Sequence, residues 1–304
     1  MSVSKRTIRS ILGGSLLLTS VAVISGGHYS WAETAQSSSE NSAHSQTQSA
    51  PDTHDKPGLH QAPAAAGPAH APAHWSYGGQ TGPNEWSNLA PNFELCGDGR
   101  MQSPIDLSVP AADSWNPTQI EFDYEPVPLS VVNNGHTIQV NYPKGSFIRI
   151  EGKRYDLLQF HFHTPSEHSL GGHRAPMEVH LVHSNDKGEL AVIGILIEAG
   201  PANMALHEIW QRIPEANGAP VSYDDVVVDA AAFLPKEHVS FRYMGSLTTP
   251  PCTEGVRWFV MKDPVLASGN QIQTFGKIFG SNARPIQPRN HRMILSPSSE
   301  NSRE

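Results

Sequence analysis

The stretch LLQFHFHTPSEHS, residues 157–169, determines what kind of sheet this chain builds. Apolar and polar side chains alternate along its first half, which is the pattern of a β-strand with two different faces. His161 and His163 fall on one face, and Phe160 and Phe162 fall on the other. The segment therefore predicts a strand that is buried on its phenylalanine side and carries imidazoles on its opposite side.

A second segment supplies a third histidine in the same phase. In MEVHLVH, residues 177–183, Glu178 and His180 share one face. If the two strands lie side by side with these faces aligned, His161, His163 and His180 converge. One strand histidine alone is usually a hydrogen-bonded packing or surface residue. Three at alternating positions favour zinc with an open fourth position, which is the catalytic form of such a site.

Two polar neighbours accompany these histidines. Gln159 lies on the histidine face of the first strand, and Glu178 lies on that of the second. Each can accept an imidazole N–H, which determines which ring nitrogen faces a metal. The histidines at 168, 183 and 207 are interpreted as packing or surface residues.

The remaining pattern predicts a large, predominantly antiparallel sheet. Short runs of aromatic and β-branched residues recur between turn residues, which favours many short strands. Helical periodicity is confined to residues 203–213, which begin with an Asn cap, and to residues 268–279. The strand candidates are TIQVNY (137–142), SFIRIEG (146–152), DLLQFHFH (156–163), EVHLVHS (178–184), LAVIGILIE (190–198), VSFRYMGS (239–246) and VRWFVM (256–261).

The first residues have the plan of a secretory signal peptide. Three basic residues precede an apolar run at 11–24, and small residues follow as far as Ala32. An uncleaved membrane anchor is the alternative, but glycines interrupt the run, and a spanning helix needs about 20 apolar residues. We expect residues 1–32 to be removed, with no stable membrane insertion afterwards and a periplasmic or secreted product.

Residues 33–73 predict a disordered polar linker. They contain no aromatic residue, and Leu59 is their one large aliphatic side chain, so they cannot bury enough apolar surface to fold. Their irregularly spaced histidines favour a plain spacer, with zinc scavenging as the alternative. A folded domain at 74–295 and a polar tail at 296–304 complete the expected organisation.

Composition and charge exclude some partners. The 304 residues are 38% hydrophobic and contain 25 glycines and 25 prolines, which suits one sizeable domain rich in turns. Removal of residues 1–32 takes away three basic and no acidic residues, leaving 18 Lys and Arg against 29 Asp and Glu, a net charge of −11. Such a chain is not expected to bind nucleic acid or anionic membranes.

The two cysteines, Cys96 and Cys252, would both lie in the exported part. An oxidising compartment favours one disulfide between them, with two buried free thiols as the alternative. Closing so long a loop would stabilise the fold by roughly 3–5 kcal/mol in the chain-entropy model.

A further motif is MGSLTTPPCTEGVRWFV, residues 244–260. Two threonines before a double proline make a rigid turn that presents hydroxyl groups and a backbone N–H at a fixed place. On its own this turn is read as an ordinary strand connection.

Taken together, these blocks resemble the alpha-class carbonic anhydrases, in particular the exported bacterial members. The resemblance covers about residues 74–290 in family order, and it implies a large twisted sheet with a few short helices and zinc at the base of a cone-shaped cleft. The motifs that carry it are HWSYGGQTGPNEW, QSPIDL, NNGHT, QFHFHTPSEHS, MEVHLVH, LAVIGILI, SLTTPPCTEGVRWFV and NARPIQP.

The resemblance implies roles for individual residues. Thr248 matches the threonine whose hydroxyl contacts the zinc-bound hydroxide, Glu167 matches the carboxylate to which that threonine donates, and His136 matches the proton-shuttling histidine. The implied zinc ligands are His161, His163 and His180, with Gln159 and Glu178 as hydrogen-bond partners of His161 and His180. The other matched positions are Tyr77 and Asn134 in the water network, Thr249 beside the substrate, Val182, Val192, Leu247, Val256 and Trp258 in the apolar wall, and Cys96 with Cys252 as the disulfide pair.

The implied function is reversible hydration of carbon dioxide to bicarbonate and a proton by a zinc-bound hydroxide. Zinc is the implied cofactor, and weak esterase activity could accompany the main reaction. Bacterial members are often dimers, so a homodimer is one expectation. The alternatives are a catalytically inactive carbonic-anhydrase-like binding domain, which would be expected to lack a zinc histidine, and a zinc-buffering protein that uses the linker. Thr164 stands where many animal members carry tryptophan, so inhibitor preference does not transfer.

Overall fold

A computed structural model describes residues 73–108, 114–115 and 119–297. The predicted signal peptide at 1–32 lies outside the described residues, as do nearly all of the linker at 33–73 and most of the tail at 296–304. Among the described residues, no helix is both long and apolar enough to cross a membrane.

The described part of the chain is dominated by β-strands. The strands are β1 (Ser114–Trp115), β2 (Glu121–Asp123), β3 (Val127–Asn133), β4 (Ile138–Asn141), β5 (Phe147–Ile150), β6 (Lys153–His163), β7 (Met177–Ser184), β8 (Leu190–Ala199), β9 (Val221–Val228), β10 (Ser240–Ser246), β11 (Glu254–Met261), β12 (Val265–Ala267) and β13 (Ser296–Pro297). Eleven of them form one sheet whose main path runs β10-β11-β8-β7-β6-β4-β3-β9, with β12 beside β8, β5 beside β6 and β2 beside β5.

The predicted fold class is confirmed. Each of the seven strand candidates forms a strand, and most neighbouring strands in the large sheet are antiparallel. The exceptions are β11 and β12, which both pair parallel with β8. The short strands β1 and β13 pair parallel in a separate two-stranded ribbon.

Helices are few and short in the described residues. The helices are α1 (Trp86–Leu89), α2 (Leu95–Asp98), α3 (Met204–Trp210) and α4 (Gly269–Phe279), with 3-10 turns at Gly79–Thr81, Pro91–Phe93 and Ala230–Phe233. The two predicted helices are α3 and α4. Asn203 caps α3 through its side-chain oxygen, and Ser268 and Gln271 form a capping box at the start of α4.

The two faces of the central strands pack in different clusters, as the alternation in β6 predicts. Phe160 and Phe162 are fully buried in the larger core with residues of α3 and α4. On the histidine side, Val192 and Trp258 belong to a second, smaller cluster. The sheet thus has a thick apolar core on one face and a mixed polar and apolar layer on the other.

Candidate active site

The register of β6 and β7 brings the three histidines together. His161 lies directly opposite His180, and His163 lies opposite Glu178. One ring nitrogen from each of His161, His163 and His180 lies within 4.8 Å of the other two. The predicted convergence is therefore present, because antiparallel pairing aligns the faces that carry the imidazoles.

Each imidazole is oriented by a different acceptor. His161 donates from Nδ1 to Gln159 Oε1 at 2.9 Å. His180 donates from Nε2 to Glu178 Oε1 at 2.9 Å. Gln159 and Glu178 are therefore the hydrogen-bond partners that the sequence predicts for His161 and His180.

The third orienting contact was not predicted. His163 donates from Nδ1 to the backbone oxygen of Asn282 at 2.8 Å. Because all three oxygens accept a hydrogen bond, the ring nitrogen that faces each of them carries the proton, and this determines the tautomers. The nitrogens left with lone pairs are Nε2 of His161, Nε2 of His163 and Nδ1 of His180.

This arrangement fits a zinc ion. His163 is only 1% exposed, and its Nε2 has no hydrogen-bond partner among the described residues. A buried nitrogen lone pair without a donor costs free energy unless an electron acceptor meets it. Three imidazole nitrogens with no thiolate among them are the donor set of a catalytic zinc site.

Burial and charge determine the protonation of these groups. Burial, followed by the neighbouring imidazoles, lowers the pKa of His161 well below its ordinary value. Burial also lowers the pKa of His163. For His180, burial alone would lower the pKa, but the Glu178 carboxylate raises it. Glu178 thus makes His180 the most basic of the three imidazoles.

A second histidine cluster is a hydrogen-bond network. Glu178 accepts from His168 Nδ1 at 2.7 Å and from the backbone N–H of His168 at 2.8 Å, in addition to its bond with His180. His168 Nε2 lies 2.6 Å from the hydroxyl of Tyr243. These atoms satisfy one another, so His168, Glu178 and His180 do not form a second metal site. His168 is buried as expected, but its contact with Glu178 makes it more than a packing residue.

Glu167 is fully buried next to the converging imidazole nitrogens. Its Oε1 accepts the backbone N–H of Arg284 at 2.9 Å. Its Oε2 lies 3.6 Å from His163 Nε2 and 3.8 Å from His180 Nδ1. This oxygen has no hydrogen-bond partner within the described ranges. The bond from Thr248 to Glu167 is therefore not formed in this structure and stays a prediction.

Apolar side chains lie on the same side of the sheet. The cluster contains four of the residues matched to the apolar wall, and the fifth packs against it: Val182, Val192, Val256 and Trp258, with Leu247. Their assembly follows from the parallel pairing of β11 with β8, where Trp258 lies opposite Val192. Their contact with substrate stays a prediction.

His136 lies on the turn between β3 and β4. Its ring stacks on Trp75 with centroids 3.7 Å apart. Burial, and then the charge of His74, lowers the pKa of His136 below its ordinary value. Tyr77 and Asn282 line the same cavity of about 450 Å³ as His136. Its location is compatible with a group that exchanges protons with solvent.

Two other matched residues lie close to His136. The ring of Tyr77 is 6.4 Å from the His136 ring. Burial, and next the charge of Glu167, raises the pKa of Tyr77 well above its ordinary value, so its hydroxyl stays protonated at neutral pH. The side chain of Asn134 accepts the backbone N–H groups of His136 and Thr137 at 3.0 and 2.9 Å, so it also shapes the turn.

The predicted disulfide is confirmed and lies against the threonine turn. Cys96 and Cys252 are bonded, with their Cα atoms 5.1 Å apart. The backbone N–H of Cys252 donates to the oxygen of Thr249 at 2.8 Å. The crosslink therefore joins α2 to the turn that carries Thr248 and Thr249.

Sequence reasoning missed two residues that hold the site. Asn282 acts through its backbone oxygen, and Arg284 acts through its backbone N–H on Glu167. Nearly every residue has a main-chain N–H and C=O, so a role of these groups cannot be predicted from the residue type. The signal that could have pointed to them is the motif NARPIQP, which contains both residues.

The fold and the site together define a class, the β-sheet proteins with a cluster of three histidines that could hold a metal ion. Comparison with known proteins identifies the family within it. The family model of the eukaryotic-type carbonic anhydrases matches residues 81–298. A carbonic anhydrase from Nostoc is 44% identical over 73% of this chain and 85% of that protein. One from Neisseria gonorrhoeae is 42% identical over 73% of this chain and 87% of that protein.

A solved structure agrees. The alpha-carbonic anhydrase from Thermovibrio ammonificans, in complex with the inhibitor sulfanilamide, has a TM-score of 0.71 at 40% identity, over 74% of this chain and 99% of that one. This chain belongs to the eukaryotic-type, or alpha, carbonic anhydrases, a family of enzymes that act on carbon dioxide and bicarbonate.

Proposed function

We propose that this chain hydrates carbon dioxide reversibly with a zinc ion held by His161 Nε2, His163 Nε2 and His180 Nδ1. The observation that carries the proposal is the set of three acceptors that leaves these three lone pairs converging. Zinc bound there supplies hydroxide as a nucleophile at neutral pH because it lowers the pKa of bound water to near neutrality, an effect known from carbonic anhydrases themselves.

Thr248 and Glu167 orient the nucleophile in this proposal. An ionised Glu167 can only accept hydrogen bonds, and its buried Oε2 has no donor among the described residues. The Thr248 hydroxyl has one proton, so donation to Oε2 leaves its oxygen to accept from the nucleophile.

The apolar wall receives the substrate. Carbon dioxide is small and uncharged, so it needs a dry surface rather than polar anchors. Val182, Val192, Val256 and Trp258 are buried together and offer no charged group, and Leu247 packs beside them. Thr249, next to Thr248 in the chain, lies on the substrate side of the site in this proposal.

His136 receives the released proton on its imidazole and passes it to solvent. A histidine suits this step because its proton exchanges near neutral pH. The protonated hydroxyl of Tyr77 and the side chain of Asn134 border the path that ordered water takes to His136.

We further propose that the protein acts outside the cytoplasm, in the periplasm or after secretion. The disulfide supports this, because such bonds persist in oxidising compartments. The signal peptide at 1–32, the linker at 33–73, the domain at 74–295 and the tail at 296–304 belong to the same proposal. A homodimer remains a prediction that sedimentation of the mature chain tests.

The test is reversible removal of the metal. The purified chain is stripped with a chelator, and carbon dioxide hydration is followed by stopped flow as zinc is returned in steps. We expect turnover to rise linearly and to reach a plateau at one zinc per chain. A chain that binds one zinc tightly and shows no turnover would contradict the proposal and favour a binding domain.

A further inference from the structure

The side chain of Asn282 bridges the metal-ligand strand and the turn that carries His136. Asn282 is 1% exposed and lies just after α4. Its Oδ1 accepts the backbone N–H of Thr164 at 2.7 Å. Its Nδ2 donates to the backbone oxygens of Phe162 and His136, both at 3.0 Å. One buried amide thus contacts residues on either side of His163 and the peptide of His136.

The backbone of Asn282 makes two further hydrogen bonds. Its oxygen accepts from His163 Nδ1 at 2.8 Å, and its N–H donates to the oxygen of Thr164 at 3.0 Å. These contacts do not use the side chain. A substitution at position 282 can therefore change the bond to His136 without removing the acceptor that orients the metal ligand.

The turn of His136 is held from both sides. The N–H of His136 donates to Asn134 Oδ1 at 3.0 Å, and its oxygen accepts from Asn282 Nδ2. Thr137 adds a contact between its hydroxyl and the oxygen of Phe162 at 2.6 Å. Of these contacts, the bond from Asn282 is the one that attaches the His136 peptide itself to the segment of His163.

We propose that the Asn282 side chain is a positioning residue for His136 that governs the rate of proton transfer rather than the carbon dioxide step. The inference rests on the proposed function. Proton transfer over ordered water depends on where the accepting imidazole lies, because each hydrogen bond in the path requires donor and acceptor at a fixed distance. The hydration step depends on the ligands and the apolar wall, and none of the side-chain hydrogen bonds of Asn282 goes to one of these residues.

The test compares Asn282→Ala and Asn282→Asp with the wild type. The Asp variant keeps an acceptor for the Thr164 N–H but replaces the Nδ2 donor with a second oxygen. Exchange of oxygen-18 between carbon dioxide and water measures the hydration step and the proton-transfer step separately on the same sample. Asn203→Ala, which removes the cap of α3 away from the site, controls for a general loss of stability.

Measured per bound zinc, we expect the hydration rate of both Asn282 variants to fall much less than their proton-transfer rate. Their proton-transfer rate should fall about tenfold, and added imidazole buffer should restore it. Combining either variant with His136→Ala should cause no further loss, because residues in one unit are non-additive.

A readout independent of activity accompanies the kinetics. In the zinc-free wild type, the stacking on Trp75 should shift the ring-proton NMR signal of His136, which the spectrum of His136→Gln identifies. The Asn282 variants should move this signal and leave that of the buried His183 unchanged.

Several outcomes would overturn the inference. An unchanged His136 signal or an unchanged proton-transfer rate would show that the Asn282 side chain does not position His136. An equal fall in both rates, loss of zinc, or failure of both variants to fold would show a structural role instead. A wild type without turnover would instead refute the proposed function, on which the kinetic part depends, while the NMR comparison would still report whether Asn282 places His136.

Discussion

At the residue scale, Glu178 is a buried carboxylate that orients two imidazoles. It accepts three hydrogen bonds, two from His168 and one from His180. Burial alone would raise the pKa of Glu178, but the charges of His168 and His180 hold it well below its usual range. The carboxylate therefore stays ionised and holds the imidazole of His180 in one tautomer.

Replacement of Glu178 by glutamine tests this role. An amide keeps the shape but loses the charge and one acceptor, so we expect Glu178→Gln to weaken zinc binding by about 10- to 100-fold. Competition with a chromogenic chelator measures the zinc Kd. Glu198→Gln is the matched control, because Glu198 pairs with the exposed His173 away from the ligands. Equal affinities for wild type and Glu178→Gln would contradict the assigned role.

His183 predicts a pH dependence of folding. It is fully buried, its Nε2 lies 2.8 Å from the hydroxyl of Tyr124, and burial lowers its pKa to about 3. An unfolded histidine titrates near 6.5. The stability that neutral His183 contributes is thus complete above about pH 6.5 and is lost as the pH falls toward about 3.

The expected size of this loss is about 3 kcal/mol between pH 7 and pH 4. Urea unfolding of the zinc-free protein at the two pH values measures it, in the wild type and in His183→Gln. The difference between the two proteins isolates His183 from the other buried histidines. Parallel pH profiles for the two proteins would show that His183 is not the group responsible.

The residues that sequence could predict are those that act through side chains on a regular strand. The period of two placed His161, His163 and His180 together and paired Gln159 and Glu178 with the correct rings. Asn282 could not be found this way, because it orients His163 through a main-chain oxygen from a distant segment. Such long-range contacts depend on tertiary packing.

At the element scale, two strands missed from the sequence, β3 and β9, contain residues that are unfavourable in a strand interior. β3 contains Pro128, which argues against an interior strand, and its pairing with β9 shifts register next to this proline. β9 lies at one end of the main path and carries Asp224 and Asp225, as edge strands often do. Helices α1 and α2 have only four residues each, which is too short for a periodic pattern.

Helix α4 shows how strongly a local signal can determine an element. The hydroxyl of Ser268 accepts the N–H of Gln271 at 3.3 Å, and Gln271 Oε1 accepts the N–H of Ser268 at 3.0 Å. We expect Ser268→Ala to lower the free energy of unfolding by about 1 kcal/mol. Urea titration measures the change.

Thr274→Ala is the control for this prediction. The Thr274 hydroxyl is exposed and bonds within the same helix, to the oxygen of Asn270, so its removal should change stability by less than about 0.5 kcal/mol. A larger effect of Thr274→Ala than of Ser268→Ala would refute the importance of the cap.

At the scale of the whole molecule, the buried guanidinium of Arg284 connects segments that are distant in the chain. It donates to the oxygens of Cys96 and Ser103 and to Gln102 Oε1, each at 2.8 Å. The amide of Gln102 donates in turn to the oxygen of Cys252 at 3.0 Å. The disulfide is thus part of a buried polar layer that reaches Glu167 through the backbone of Arg284.

Removal of the disulfide tests how much this crosslink stabilises the whole molecule. The bond closes a loop with a sequence separation of 156 residues, so the chain-entropy model gives a stabilisation of about 5 kcal/mol. We expect the double variant Cys96→Ala, Cys252→Ala to lose about this amount in urea unfolding. A reductant should destabilise the wild type and leave the double variant unchanged, and a loss below about 1 kcal/mol would contradict the estimate.

The most direct test of the central claim pairs zinc content with carbon dioxide hydration, in the wild type and in His163→Ala. His163 contributes the buried Nε2 that has no other partner among the described residues, so its loss should abolish tight zinc binding and turnover together. The account predicts one zinc per chain with turnover in the wild type, and neither in the variant. Turnover that persists in a zinc-free His163→Ala protein would contradict it.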